Sequence, residues 1–376
     1  MKSNVHIYFS EMRNESRIFK IADTLNRHEV FDEIYILGRV AFDLPPIEKL
    51  NVRTTIFRMD APFLTLLRKA SGLRSLLWYL AAIIKVINLR PQILSLHSVS
   101  FLPLGMLVKL CRPSTQIIYE THELETETNG ASQMKKTLRR HVEALGMRFV
   151  AHTIAVSPSI CDWYAARYRT VAVSLVMNCP PFSEKRKSDY LRNYFDLSAD
   201  KTVFLYQGIM RPGRGLEGLV AALEKLPDEA VLVLLGYGDD FDKWYERSLA
   251  SPRLFVHPAV PFEKVLEVTS SADCGISFVE DTCLSYRFAL PNKLFEYIQA
   301  RIGVIVSPTI DQSNLVSEAE VGLVCDGFEE AAIQRACEKF MLGTLGDLEV
   351  NLDRAAQVYS WQSQEENLLN VYARFG

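Results

Sequence analysis

The stretch FALPNKLFEYIQA, residues 288–300, opens an apolar helix with Lys293 and carries a carboxylate, Glu296, three residues on. Residues three apart share a helix face, so amine and carboxylate point the same way. Lysine beside the free N–H groups of a helix start suits a phosphate. A carboxylate one turn further can accept two hydrogen bonds from a ribose diol. The competing reading is a surface ion pair worth a few tenths of a kcal/mol. Phe295 and Tyr297 around Glu296 argue for a partly buried position instead.

Two more glycine-bearing stretches invite the same chemistry. YQGIMRPGRGLEGLVAAL, residues 206–223, reads as a strand, a turn and a helix. Gly208, Gly213 and Gly215 allow close backbone approach, and the forked guanidinium groups of Arg211 and Arg214 suit a pyrophosphate. The pattern is neither of the two common glycine-rich phosphate motifs, and an ordinary strand-to-helix turn competes with it. In LLGYGDDFDKW, Asp240 and Asp242 form a D-x-D that could hold a metal. They fall where a helix should start, so capping of its free N–H groups is the preferred reading. Gly236 and Gly238, flanking Tyr237, are expected to let the turn pass under a ligand. In the first half, YETHELETE places His122, Glu123 and Glu125 just past a strand, where a histidine can bond a sugar hydroxyl, carry a proton or make a local bond. His97 ends a strand in LSLHSVS in the same way.

Positioning these groups takes a repeated β-then-α pattern. The runs VHIYF, EIYILG, VRTTIFR, ILSLH, QIIYETH and HTIAV alternate with helical segments, among them 64–87, and Ser157-Pro158 opens another helix. The two prolines of VMNCPPF stop regular structure, the polar segment SEKRKSDYLRNYFDLSADK follows, and the alternation restarts at TVFLYQG. Parallel sheets covered by helices on both faces follow from this. The expected architecture is α/β, with two Rossmann-like doubly wound domains facing a cleft: 1–180, 181–355, and a closing segment 356–376. The length of 376 residues suits two cores.

The seven cysteines are scattered, without metal-ligand spacing, and read as reduced, mostly buried thiols. No apolar run reaches the roughly 18–20 residues that span a bilayer. The net charge of −3 is uneven, because residues 1–180 carry an excess of eight positive charges. Residues 61–119 contain no acid but hold Arg68, Lys69, Arg74, Lys85, Arg90, Lys109 and Arg112. Basic, leucine-rich helices suit an anionic membrane surface, or are plain solvated faces. Nucleic-acid binding is not expected, for want of a recognisable module.

Eight stretches in order, NESRIFKIADTL, IIYETHELETE, IAVSPSI, VMNCPP, YQGIMRPGRGLEGLVAAL, LLGYGDD, ALPNKLFEYIQARIGVIVS and YSWQSQEENLLNVY, resemble glycosyltransferase family 4, a branch of the GT-B glycosyltransferases. The likeness leans toward bacterial enzymes of surface-polysaccharide, lipopolysaccharide, capsule and glycolipid assembly. It implies retaining transfer of a sugar from a nucleotide-diphosphate sugar, UDP favoured, to a glycan or lipid-linked hydroxyl. No metal or other cofactor is implied, and the expected place is the cytoplasmic face of the inner membrane.

Carried over by position, the phosphate clamp falls on Arg214, with Arg211 standing in for an arginine whose own position is Ile209. The ribose carboxylate of an E-x7-E pair falls on Glu296, and Phe288 replaces the first acid. The sugar hydroxyls must then meet Glu280, Asp281, Ser285 or Tyr286. The resemblance implies His122, Arg214 and Lys293 as catalytic groups. Its donor site would comprise Gly208, Arg211, Arg214, Gly236, Tyr237, Ser285, Tyr286, Ala289, Leu290, Asn292, Lys293 and Glu296. The acceptor side would hold Arg13, Asn14, Arg17, His97 and Glu123. A helix beginning near Trp361 would cross back to the first domain. A non-catalytic nucleotide-sugar-binding partner of another transferase, and a sugar-nucleotide epimerase, remain alternatives.

Overall fold

The computed structural model describes residues 1–41, 43–59 and 71–375, with the backbone alone at Ser71 and Gly72. The expected helical residues 64–70, with Arg68 and Lys69, lie outside the described residues; the helix described there runs Ser71–Leu89. The chain divides into two compact units, Met1–Val176 with Glu365–Gly376, and Met177–Gln364.

The first unit is built on strands β1 (Ser3–Ile7), β2 (Glu33–Arg39), β3 (Ile47–Lys49), β4 (Thr54–Met59), β5 (Ile93–Leu96), β6 (Gln116–Glu120), β7 (His152–Ala155) and β8 (Ala172–Leu175). Among the described residues they order as β3-β4-β2-β1-β5-β6-β7-β8. The expected parallel sheet is broken at one edge, where β3 runs antiparallel to β4. Every residue of β1, β5 and β7 is buried, as strands covered on both faces require.

The second unit holds β9 (Thr202–Ile209), β10 (Ala230–Tyr237), β11 (Leu254–Pro258), β12 (Cys274–Ser277), β13 (Gly303–Val306) and β14 (Gly322–Val324), all parallel, in the order β11-β10-β9-β12-β13-β14. Alternation along β9 sends Phe204 and Tyr206 into one core with Trp244, and Val203 and Leu205 into another with Phe295 and Tyr297. The segment read as a polar connection contains the helix Tyr190–Phe195, whose Leu191 is fully buried.

The order of strands reverses direction between β1 and β5 in the first sheet and between β9 and β12 in the second. Open α/β sheets bind ligands beyond the C-terminal strand ends at such points. The final helix, Trp361–Ala373, begins in the second unit, where Trp361 N–H donates to the Pro180 carbonyl at 2.8 Å. It ends in the first, where Tyr372 is fully buried edge-on to Phe31 and Gln92 donates to the Phe375 carbonyl at 2.6 Å. Of the cysteines, 179, 274, 325 and 337 are buried and Cys111 is exposed; all are free. Among the described residues no helix is long and apolar enough to cross a membrane.

Candidate functional site

In the second unit β9 runs out at Ile209, one residue past Gly208, and the turn 210–215 delivers the chain to the helix Leu216–Lys225. Gly208 has φ of 126°, and a side chain there would project into open space, so a ligand can approach the bare backbone. Gly215, at φ of 69°, precedes the helix and lies against the Phe278 ring, where a Cβ would come within 2.3 Å.

Arg211 and Arg214 meet at one aromatic ring. Arg211 Nη2 donates to Tyr286 Oη at 3.2 Å, and the Arg214 guanidinium lies 4.9 Å from the centre of the Tyr286 ring. Tyr286 and Ser285 are both buried, in a short helix Leu284–Arg287 where the sequence suggested a loop. Lys293 reaches the same region from the helix Asn292–Gln299. Its Nζ sits 3.6 Å from the centre of the Tyr206 ring. Lys293 is 8 % exposed and its amine has no hydrogen-bond partner among the described residues. Burial, assisted by the charge of Arg214, holds that amine well below the ordinary lysine value, and Glu296 pulls the other way. Tyr206 is pushed up to about 12 by burial, against the pull of Arg214 and Arg211. Three basic side chains thus gather on two tyrosines at the end of β9.

Glu296 is half-buried, and its Oε2 accepts from the Gln207 amide. Gln207 Oε1 in turn accepts from Thr269 Oγ1 at 2.8 Å, which fixes the carboxylate's position. Asn292 accepts from Asn178 at 2.9 Å. Leu290 is buried, Ala289 and Phe288 are half-buried, and Tyr237, the last residue of β10, is exposed.

Three expectations change. A Cβ at Gly236 would meet the Gly208 carbonyl oxygen at 1.9 Å and one at Gly238 the Met210 oxygen at 2.4 Å, so neighbouring backbone explains both glycines. Asp240 does precede the helix Phe241–Leu249, with Asp242 in its first turn, but the Asp240 side chain makes no capping bond. Asp281 is held by Arg287, whose Nη2 donates to it at 2.8 Å. Glu280 and Asp281 help line a cavity of about 390 Å³ beside Gly215.

In the first unit, β1, β5 and β6 lay a polar ladder on one face. Glu120 is fully buried; Tyr372 Oη donates to its Oε1 at 3.0 Å and Arg17 Nε stands 3.7 Å from its Oε2. Burial raises the Glu120 carboxyl, opposed by Arg17 and Tyr372. Ser95 Oγ lies 2.8 Å from Tyr372 Oη and accepts from the Asn4 amide at 3.2 Å. Arg17 also donates to the Val176 carbonyl at 2.9 Å. Arg17 and His97, expected on the acceptor side, are therefore interior groups. They are 4 % and 1 % exposed, and the partners they meet inside the unit offset the cost of burying them. His122 is half-buried and bonded to His97. Arg13 pairs with Glu11 and Asp43 at the surface, and Asn14 and Glu123 are exposed. Glu125 accepts from Ser98 Oγ at 2.6 Å and Val99 N at 3.0 Å, and burial pushes it up to about 7.

Sequence reading missed Tyr206, Gln207, His6, Glu120 and Tyr372. The available signal was period-two alternation in strands: Asn4 and His6, Ser95 and His97, Glu120 and His122 all fall on one face.

Two doubly wound units, with a last helix passing from the second to the first, match the GT-B fold that the resemblance implied. Sucrose-phosphate synthase from Thermosynechococcus elongatus aligns with a TM-score of 0.80 and 16% identity, over 100% of this chain and 99% of that one. Anabaena HepE in complex with UDP-glucose aligns with a TM-score of 0.74 and 12% identity over 100% of both chains. The lipopolysaccharide outer core galactosyltransferase WaaB aligns with a TM-score of 0.68 and 14% identity over 99% of each. No family model and no curated protein matches the sequence. At these identities the likeness is one of fold.

Proposed function

We propose that the protein is a retaining glycosyltransferase that moves a sugar from a UDP-sugar to a hydroxyl of a glycan or lipid-linked acceptor in surface-polysaccharide assembly. The observation that carries this is Lys293, a buried amine without a hydrogen-bond partner among the described residues, beside Arg214 at a strand end. A buried amine carries its charge at a cost unless something anionic arrives to meet it, so an arriving anion favours its protonation. A diphosphate supplies that anion, with Arg211 and Arg214 as further donors and the open face of Gly208 as the place of approach. Glu296, held by Gln207, takes the ribose diol. UDP is preferred because HepE, similar in fold, has been solved with UDP-glucose.

In the reaction the acceptor oxygen bonds to the anomeric carbon as that carbon's bond to the diphosphate oxygen breaks. The acceptor proton passes to a phosphate oxygen on the same face. Negative charge growing on the leaving diphosphate meets Arg211, Arg214 and Lys293, which gives the cluster its catalytic value. These three cations can serve where other enzymes use a divalent metal. With Phe288 in place of an acid, Glu280, Ser285 and Tyr286 are left to meet the sugar. That substitution also favours a second reading, a protein that binds the nucleotide sugar without turning it over.

Calorimetric titration with UDP, GDP, ADP and CMP, with and without magnesium, tests the assignment. UDP should bind without metal, and Glu296→Ala should weaken it by about 1–3 kcal/mol, as for a lost charged hydrogen bond. Failure of all four nucleotides to bind would remove the donor site. Transfer to an added acceptor separates the enzyme from the binding protein.

We also propose that the first unit docks on an anionic bilayer. Three helices that pack in sequence, Ser71–Leu89, Leu102–Cys111 and Gln133–Gly146, expose Leu76, Ile84, Leu107, Leu110, Met134 and Leu138. Arg74, Lys109, Arg112 and Lys135 lie on the same helices or just beyond them. Apolar side chains enter the interface while each basic residue adds about 1 kcal/mol against anionic lipid. Co-sedimentation should be strong with phosphatidylserine vesicles, weak with neutral ones, and weakened by salt. Equal binding to both vesicle types would leave these helices as ordinary solvated faces.

A further inference from the structure

The polar face of the first sheet contains a chain of three imidazoles. His6 Nδ1 lies 2.9 Å from His97 Nε2, and His97 Nδ1 lies 3.1 Å from His122 Nε2. His6 and His97 are at most 1 % exposed. Burial holds all three rings below the ordinary histidine value, His6 and His122 near about 3, so they are neutral at physiological pH.

A neutral imidazole has one N–H and one bare nitrogen. Two hydrogen bonds along three rings therefore allow two self-consistent arrangements. Either each ring donates outward, from His6 to His97 to His122, or each bond is reversed. The inner end distinguishes them. His6 Nε2 is buried without a hydrogen-bond partner among the described residues. The reversed chain would put a hydrogen there, an orphaned donor, whereas the outward chain leaves a bare acceptor, which protein interiors accept more readily. A second observation agrees: Glu120 Oε2 lies 3.9 Å from His97 Nδ1, where negative charge favours an N–H over a lone pair.

We propose that His6 and His97 are positioning residues that fix His122 in the tautomer with Nε2 bare and Nδ1 protonated, so that His122 meets a substrate hydroxyl as a hydrogen-bond donor and not as a base. Only the identity of that hydroxyl, one on a sugar, rests on the proposed transferase function. His6, His97 and Glu120 also bring possible metal-ligand atoms within 4.8 Å of one another. A cation there would face the Arg17 guanidinium 3.7 Å from Glu120, and the hydrogen-bonded chain accounts for the rings without one.

The test is a long-range ¹H–¹⁵N correlation spectrum of the full chain labelled at histidine. At neutral pH His122 should show a protonated Nδ1 and a bare Nε2. In His97→Ala the His122 pattern should move toward the Nε2–H form that free histidine prefers, and kcat should fall more than tenfold with little change in donor KM. His97→Asn, whose amide can donate from the place of Nδ1, should restore the native pattern. A native spectrum with hydrogen on His122 Nε2 overturns the proposal by itself, even if the variants do not fold. So does a pattern unmoved by His97→Ala. The spectrum does not depend on turnover: an inactive protein with the expected tautomer would refute the transferase reading alone.

Discussion

Replacing Lys293 by methionine is expected to raise the melting temperature of the ligand-free protein while weakening its affinity for nucleoside diphosphates. The two effects have one origin. The Lys293 amine is buried over Tyr206 with no hydrogen-bond partner among the described residues, and its proton affinity in the folded chain lies well below the ordinary lysine value. The unfolded chain holds that proton up to a pH of about 10.4. Between the lowered folded value and the unfolded one, the unfolded state binds more protons, so this group's contribution to stability falls as pH falls through that window. Methionine fills nearly the same volume and titrates nowhere. The variant's advantage should therefore shrink toward high pH. Each kcal/mol recovered is worth about 2–4 °C in a unit of this size.

The same substitution removes a charged hydrogen bond to phosphate, which should weaken UDP by at least about tenfold at the 1.5–3 kcal/mol typical of such bonds. It should also abolish proton uptake on binding, read as a dependence of the binding heat on the ionisation heat of the buffer. A variant with unchanged melting temperature, unchanged affinity and unchanged proton uptake would make Lys293 an ordinary buried side chain.

The second large effect is expected in the first unit. Arg17→Met alone, or Glu120→Leu alone, should destabilise the protein by about 3–5 kcal/mol, because each leaves the partner's charge buried and uncompensated. Arg17 and Glu120 are 4 % and 0 % exposed. Their separation of 3.7 Å is long for a charged pair, so the attraction they gain does not greatly exceed what their dehydration costs. The double variant should thus recover much of the loss, since an apolar pair replaces an ionic one. Chemical denaturation of the two single variants and the double one measures this directly. If the double variant loses the sum of the two single effects, the groups act independently, and the ladder joining β1, β5 and β6 is not a network.

The fold could be read in the sequence wherever apolar runs were long. β1, β2, β4, β5, β6 and β7, and the strands of the second unit, stand out because buried parallel strands are apolar on both faces. β3 and β8 did not, because they are three and four residues long and half-exposed at sheet edges. The helix Tyr190–Phe195 was hidden among charges, although Tyr190, Tyr194 and Phe195 gather around His257. The helices Glu330–Met341 and Leu348–Val358 were not anticipated either.

At the site, Lys293, Glu296, Arg211 and Arg214 were legible because charged residues at a helix start or glycine turn are anomalous in an apolar context. Tyr206 and Gln207 were not, because they read as interior residues of a strand and acquire meaning only when Lys293 and Glu296 come to lie beside them. Arg17 and His97 looked like surface groups for the opposite reason. A single polar residue gives no sign of burial until sheet register supplies its partners.

The passage of the last helix from one unit to the other has a consequence for synthesis of the chain. Tyr372, fully buried in the first unit, leaves the ribosome nearly two hundred residues after Val176, where that unit's continuous segment ends. At about 5–20 residues per second, the interval is on the order of ten to forty seconds. For that time Glu120, Ser95 and Phe31 lack their final neighbour, while the second unit emerges and has all its own residues. Assembly is therefore expected to run against the order of translation, with the C-terminal unit completed first and the N-terminal one closed last by the tail.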